Sequence, residues 1–209
     1  VNQYHKIHTL FKRDPKGKVL WDQFADPAFE YLKENKWSFT EKVDGTNIRI
    51  MRPAGATSFQ FGGKTDRALL PAQLVEHLRE TFPDSRMPEF EKHFPDGDIC
   101  LYGEGYGAKI QKVGGLYSPT QKFVLFDVSV SHWWLRREDV ENVAEKLSLD
   151  VVPVVGGGTL SDLVEKCRKG FDSAWGPFPA EGLVARPAVE LKLRNGQRII
   201  TKMKAVDFA

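Results

Sequence analysis

The sequence predicts an α+β fold of mixed, mainly antiparallel sheets with flanking helices. Three observations predict it. Seven short runs carry the β-branched, aromatic or alternating character of strands. Only three segments read as helices. No repeat, low-complexity stretch or linker divides the chain, so residues 1–209 are expected to form one domain, with no separate C-terminal domain after it.

The elements follow in chain order. Residues 38–41 form a β-type run that ends at Lys42, where Asp44-Gly45 turns the chain into a second run over 46–52. A third covers 58–61. Residues 71–82 are helical, with Leu74, Val75, Leu78 and Phe82 on one face and Pro71 suited to the first turn. Strands are expected at 99–102 and 122–130. A second helical pattern covers 135–149 through Val140, Val143, Ala144 and Leu147. Gly156-Gly157-Gly158 reads as a turn into a helix over 160–169, with Thr159 or Ser161 as its N-cap. Runs at 181–186 and 198–204 close the set. Trp133-Trp134 reads as a structural corner rather than a base-stacking platform.

The composition excludes several classes. With 209 residues, 41% of them apolar, the chain can bury a core without covalent staples. Two cysteines exclude a disulfide framework and a multi-cysteine zinc site, and point to a reducing, cytoplasmic setting. No apolar run approaches the roughly 18 residues of a membrane span, so no membrane partner is expected. The five histidines make no zinc spacing. Net charge is only +2, yet it is segregated: residues 1–18 carry five bases and one acid, residues 186–204 six bases and one acid, and residues 74–96 six acids and three bases. Such segregation marks either a polyanion-binding face or ordinary solvated surface.

Two glycine motifs are decoys. Gly63-Lys64-Thr65 resembles the end of a P-loop, but Ser58 stands where the motif needs its first glycine. Gly103-Glu104-Gly105-Tyr106-Gly107 lacks the dinucleotide spacing. Lys202 and Lys204 are more informative. Strand alternation puts them on one face with Ile200, and Ile199, Thr201 and Met203 on the other. Two ammonium groups so close repel, so either an anion sits between them or they guard an exposed strand edge.

Taken together, the motifs resemble the covalent nucleotidyltransferase superfamily of ATP-dependent RNA ligases, DNA ligases and mRNA capping enzymes. Glu41-Lys42-Val43-Asp44-Gly45-Thr46-Asn47 matches the family's Lys-x-Asp-Gly motif, and Leu101-Tyr102-Gly103-Glu104-Gly105 the next conserved strand. Phe123-Val124-Leu125-Phe126-Asp127-Val128, Glu181-Gly182-Leu183-Val184-Ala185-Arg186 and Lys202-Met203-Lys204 follow in the family's order. The opening stretch from Lys6 to Asp14 and the closing Ala205-Val206-Asp207-Phe208 look like small phage-type RNA ligases. The implied fold is the nucleotidyltransferase (ATP-grasp-like ligase) catalytic domain.

The resemblance implies a role for each matching residue. Lys42 would attack the α-phosphorus of ATP, leaving AMP covalently on its amine and releasing pyrophosphate. Glu104 would hold the ribose, and Phe126, or Phe123, would stack on adenine. Glu181 would help bind Mg2+ or Mn2+, and Lys202 and Lys204 would grip the α-phosphate. Asn47 would contact the phosphate or the region near the ribose, and Glu41 the adenine edge. The family's arginine after the first motif is replaced here by Lys64, with Arg67 nearby. Strand alternation is expected to put Phe126 and Asp127 on opposite faces.

The implied activity is ATP-dependent sealing of RNA 5′-phosphate and 3′-hydroxyl ends, nicked or single-stranded, with Lys12, Arg13 and Arg186 among the phosphate-backbone contacts. Only Ala205 to Ala209 follow Lys204, so the resemblance implies either a minimal stand-alone enzyme, which the phage-like closing residues favour, or a trimmed catalytic domain. A DNA ligase core, a capping guanylyltransferase core or a non-catalytic nucleic-acid-binding relative are the alternatives.

Overall fold

The computed structural model describes residues 3–95 and 97–208. In chain order its strands are β1 (His8–Thr9), β2 (Phe11–Arg13), β3 (Val19–Phe24), β4 (Trp37–Glu41), β5 (Thr46–Arg52), β6 (Gln60–Gly62), β7 (Ile99–Tyr106), β8 (Lys122–Val130), β9 (Trp133–Trp134), β10 (Val154–Gly158), β11 (Gly182–Pro187) and β12 (Thr201–Lys204). Its helices are α1 (Pro27–Tyr31), α2 (Ala72–Thr81), α3 (Met87–His93), α4 (Gly114–Tyr117), α5 (Arg137–Leu147) and α6 (Leu160–Lys169). The fold is α+β with largely antiparallel sheets, as the sequence predicts.

The chain forms two compact units. The first comprises the residues through Tyr4 with Asp44–Val151, and the second His5–Val43 with the residues from Val152 on. The chain crosses between them at Tyr4/His5, Val43/Asp44 and Val151/Val152.

The first unit holds the sheet β6-β5-β7-β8-β9. One face packs against the helices: Ile48, Ile50, Leu101, Leu125 and Val128 join Leu74 and Leu78 of α2, Phe90 of α3 and Val140 of α5 in one apolar cluster. The opposite face carries Asn47, Arg49, Tyr102 and Glu104, because registered neighbours share a face: Asn47 opposes Glu104 and Arg49 opposes Tyr102. Trp134 closes a hairpin with β8 and packs on this second face, its ring 5.5 Å from that of Tyr4 and 5.0 Å from that of Tyr102. Trp133 is exposed. The pair is thus the short edge strand β9 rather than a bare corner.

The second unit holds the sheet β1-β12-β11-β4-β10, antiparallel except for the β1–β12 pair, and a separate β2–β3 hairpin. Trp37, Phe39, Leu183, Ala185 and Met203 face a core completed by Leu160, Leu163 and Cys167 of α6. Thr159 is the N-cap of α6 and makes a reciprocal capping box with Asp162.

Some sequence expectations change. The glycine run is not a turn but the end of β10, paired with Trp37–Thr40 of β4. A run without side chains has no hydrophobic period, so only the backbone ladder reveals it. Residues 198–200 lie outside β12, where Arg198 instead makes an isolated bridge with Lys192. The 99–102 run extends to Tyr106, and the 58–61 run moves to Gln60–Gly62. The Asp44-Gly45 turn joins no hairpin, since β4 and β5 belong to different sheets.

Candidate active site

In the second unit, β4 delivers two neighbouring side chains to opposite faces. Glu41 is registered with Leu183 and is buried. Its two carboxylate oxygens accept from the Ser173 hydroxyl at 2.6 Å and the Ala174 N–H at 2.8 Å. Glu41 therefore anchors the 173–174 turn, with both oxygens engaged by protein. Lys42, one residue on, donates its backbone N–H to the Gly182 carbonyl at 2.9 Å. Its ammonium is ion-paired with Glu181. The other Glu181 oxygen is 2.6 Å from the Lys204 ammonium. One carboxylate thus bridges two lysines, and all three side chains are partly buried, at 21, 15 and 38% exposure for Lys42, Glu181 and Lys204.

Register explains the grouping. Gly182 opposes Lys204 and Val184 opposes Lys202. Thr201 and Met203 are buried while Lys202 and Lys204 are half-exposed, so the lysines share a face as the alternation predicts. Gly182 is required where it stands: its φ is +157°, and a Cβ would lie 2.2 Å from the Met203 carbonyl oxygen. A side chain there would push β11 off β12 and separate Glu181 from Lys204.

In the first unit, Asn47 and Glu104 are direct cross-strand partners. Gly45 precedes them at a close crossing, where a Cβ would sit 2.3 Å from the Gly105 carbonyl oxygen and 2.7 Å from Cγ of Glu104. Its carbonyl accepts from the Gln111 amide at 3.0 Å. Lys64 is exposed just beyond β6.

Phe126 corrects a sequence expectation. Tyr102 opposes Asp127 while Gly103 opposes Leu125, so Phe126 is the extra residue of a β-bulge. The Tyr4 ring lies 5.0 Å from the Phe126 ring, and the Tyr4 hydroxyl donates to Asp127 at 2.8 Å. Phe126 and Asp127 therefore face the same way, on the side of the sheet that carries Glu104. Phe123 faces the helices, its ring 6.2 Å from that of Phe82. Alternation counts residues and cannot register a bulge.

Of the expected backbone contacts, Lys12 is exposed and Arg186 half-buried on β11. Arg13 is already engaged, with Asp207 at 2.7 Å and the Gly17 carbonyl at 2.9 Å. The structure thus gathers Lys42, Glu181, Lys202 and Lys204 on one unit, and Asn47, Glu104 and Phe126 on one sheet face of the other. Three residues that sequence reasoning passed over also matter: Ser173, Tyr4 and Arg49. Arg49 is a charged residue at an interior strand position, and that was its readable signal.

Among the described residues no cluster of three or more His, Cys, Asp or Glu could hold a metal by itself. Glu181 is nevertheless a hard oxygen donor beside two phosphate-seeking ammonium groups. Mg2+ and Mn2+ bind through one or two carboxylates with phosphates and waters completing the shell. The donor set fits such an ion bound together with a nucleotide.

One carboxylate thus joins two lysines on a mainly antiparallel sheet. The family model described as RNA ligase matches residues 35–204, and the chain belongs to the RNA ligase family. No curated protein sequence matches it. Among solved structures, a variant of Naegleria gruberi RNA ligase with ATP and Mn is similar at TM-score 0.65 and 20% identity, over 85% of this chain and 52% of that one. A second variant with ATP and Mn gives 0.65 and 18%, over 95% and 60%, and one with AMP and Mn gives 0.62 and 19%, over 85% and 52%. At these identities the likeness is one of fold. The chain spans about half the length of these structures. No helix among the described residues is long and apolar enough to cross a membrane.

Proposed function

We propose that the protein is an ATP-dependent RNA ligase that seals 5′-phosphate and 3′-hydroxyl ends through AMP carried on Lys42. The observation that carries this reading is the Glu181 carboxylate held between Lys42 and Lys204, in a chain of the RNA ligase family. In this contact Lys42 is an ammonium and cannot attack. Glu181 is the acceptor beside its Nζ, placed to take the proton as the amine turns to the phosphorus.

The freed amine attacks the α-phosphorus, an N–P bond forms, and the bond to the bridging oxygen of pyrophosphate breaks. Negative charge gathers on the phosphate oxygens as this happens. Lys202 and Lys204, on one strand face, offset it. A divalent cation held through Glu181 and the phosphates would supply further charge neutralisation there. Asn47, Glu104 and Phe126 hold the nucleoside, with Phe126 giving a ring face for the base and Glu104 accepting from the ribose hydroxyls. AMP then passes to an RNA 5′-phosphate, and a 3′-hydroxyl displaces it. Lys12 and Arg186 offer charge to the RNA backbone, so RNA affinity falls with salt.

The test is covalent labelling. The protein is incubated with Mg2+ and α-labelled ATP or GTP, then denatured and resolved on a gel beside Lys42→Ala. Label from ATP alone, absent in Lys42→Ala, is the expected result. No label would overturn the catalytic reading, and label from GTP would make the protein a capping-type enzyme. Sealing of a labelled nicked RNA, scored beside nicked DNA, tests the substrate.

A further inference from the structure

Between β11 and β12, within the second unit, the chain forms a hairpin over residues 189–199. The Leu193 N–H donates to the Gln197 carbonyl at 2.8 Å, the Gly196 N–H to the Leu193 carbonyl at 2.9 Å and the Ile199 N–H to the Leu191 carbonyl at 3.0 Å. Leu191 and Leu193 pack against the apolar cluster of this unit, which also takes Ile199. Alternation then turns Lys192 and Arg194 away from the cluster, and both are exposed.

Residues 186–204 hold six bases and one acid, and the acid is spent inside the hairpin. Arg198, its side chain 2% exposed, forks onto both oxygens of Glu190, through Nε and, at 3.2 Å, through Nη2. The fork ties the two arms of the hairpin together. Lys192 and Arg194 have no acidic partner among the described residues. The same side continues along the sheet. Leu183, Ala185 and Met203 face the cluster, so Arg186 on β11 and Lys202 and Lys204 on β12 face away from it, Lys202 opposite Val184 and Lys204 opposite Gly182. Ser38 and Thr40 of β4, opposite Arg186 and Val184, bring hydroxyl groups to this face. Scattered surface bases are ordinary, but these five alternate with core residues and so stand on one side of one unit. Such a row complements a phosphodiester backbone, which carries a charge at every residue.

We infer that the hairpin 189–199 and the outer face of β11 and β12 form one docking surface for the backbone of the RNA strand, with Lys192 and Arg194 as its outermost contacts. The inference rests on the RNA-sealing reading above and extends it beyond the cluster of Lys42, Glu181 and Lys204. The contacts are to phosphate, so they hold the strand without reading its sequence.

The experiment follows a fluorescent single-stranded RNA with a 5′-phosphate by anisotropy over a salt series. It compares the wild type with Lys192→Ala, Arg194→Ala, the double variant, and Lys146→Ala, which removes an exposed base of α5 in the first unit. Each hairpin variant is expected to weaken RNA binding about 3- to 10-fold at low salt and to flatten the log–log salt dependence by about 0.7, the worth of one phosphate contact on a single strand. The double variant flattens it about twice as much, and Lys146→Ala leaves it near the wild-type slope. Lys42 labelling by ATP and the unfolding temperature stay at wild-type values throughout, because the two hairpin bases touch neither the Lys42 cluster nor the core. Unchanged RNA affinity and salt slope in the double variant, or an equal loss in Lys146→Ala, would overturn the inference. A wild type that binds no RNA would also overturn it and leave the hairpin to an acidic protein partner. If the wild type binds RNA but takes no label from ATP, the ligase reading fails by itself, and the RNA titrations still judge the hairpin.

Discussion

Each unit builds a five-stranded sheet, and the two populate their polar faces differently. The second unit gathers ammonium groups and a carboxylate into direct ion pairs: Lys42 and Lys204 on Glu181, with Lys202 on the same face. The first unit displays hydrogen-bonding and aromatic groups, Asn47, Glu104 and Phe126, and one buried guanidinium with an unmet donor. Paired charge suits bond making at phosphorus, and hydrogen-bonding and aromatic groups suit holding a nucleoside. On the proposed function, the difference teaches that chemistry falls to one sheet and recognition to the other.

Variants can break or sharpen this division. The largest effect is expected in the second unit. Glu181→Gln keeps the shape and removes the charge shared by two lysines, and should slow Lys42 labelling at saturating ATP by about 10²–10³-fold. An effect confined to the ATP requirement would instead make Glu181 a binding residue and blur the division. In the first unit, Glu104→Ala or Asn47→Ala should raise the ATP requirement about 10-fold, the worth of one lost hydrogen bond of roughly 1.4 kcal/mol, with little change in the saturated rate. Labelling titrations separate the two outcomes. Thr159→Ala removes the cap of α6 and should cost about 1 kcal/mol in chemical denaturation without altering labelling.

The smallest effect uses one thiol from each unit. Desolvation pushes both Cys100, in the first unit, and Cys167, in the second, up to about 12. The folded protein therefore keeps thiol protons that the unfolded chain loses near pH 9. This contribution to stability is whole below that pH and is lost as pH rises toward 12. At pH 8 both thiols should resist alkylation until their own unit opens. Mass mapping of the modified cysteine along a denaturant series tells which unit opens first, and simultaneous modification would show one cooperative transition.

Much of this was legible in the residues. The strands Thr46–Arg52 and Lys122–Val130 and the helix Leu160–Lys169 have the limits the pattern predicts, because each carries its own periodicity and punctuation. The lysine pair on β12 was legible for the same reason. What escaped depends on partners distant in sequence. The bulge at Phe126 exists only in register with β7, and the glycine strand only against β4. The hold of Ser173 and Ala174 on Glu41 spans 132 and 133 residues. Arg49 stands out as a charge at an interior strand position, but its hold on Gly63 and Asp66 is visible only in the fold.

The interleaving of the units has a consequence for the ribosome. The first unit draws nearly all its chain from Asp44–Val151 and can collapse once that stretch has emerged. The second cannot. Strand β4, which carries Glu41 and leads into Lys42, finds one antiparallel neighbour when β10 is made but its second only when Leu183 is, and β1 waits for Thr201. Until then β4 is a strand with an open edge, exposed to wrong pairings during synthesis. Lys42 is synthesised long before Glu181 and Lys204, and the sheet that holds the three closes only when the later two are in place.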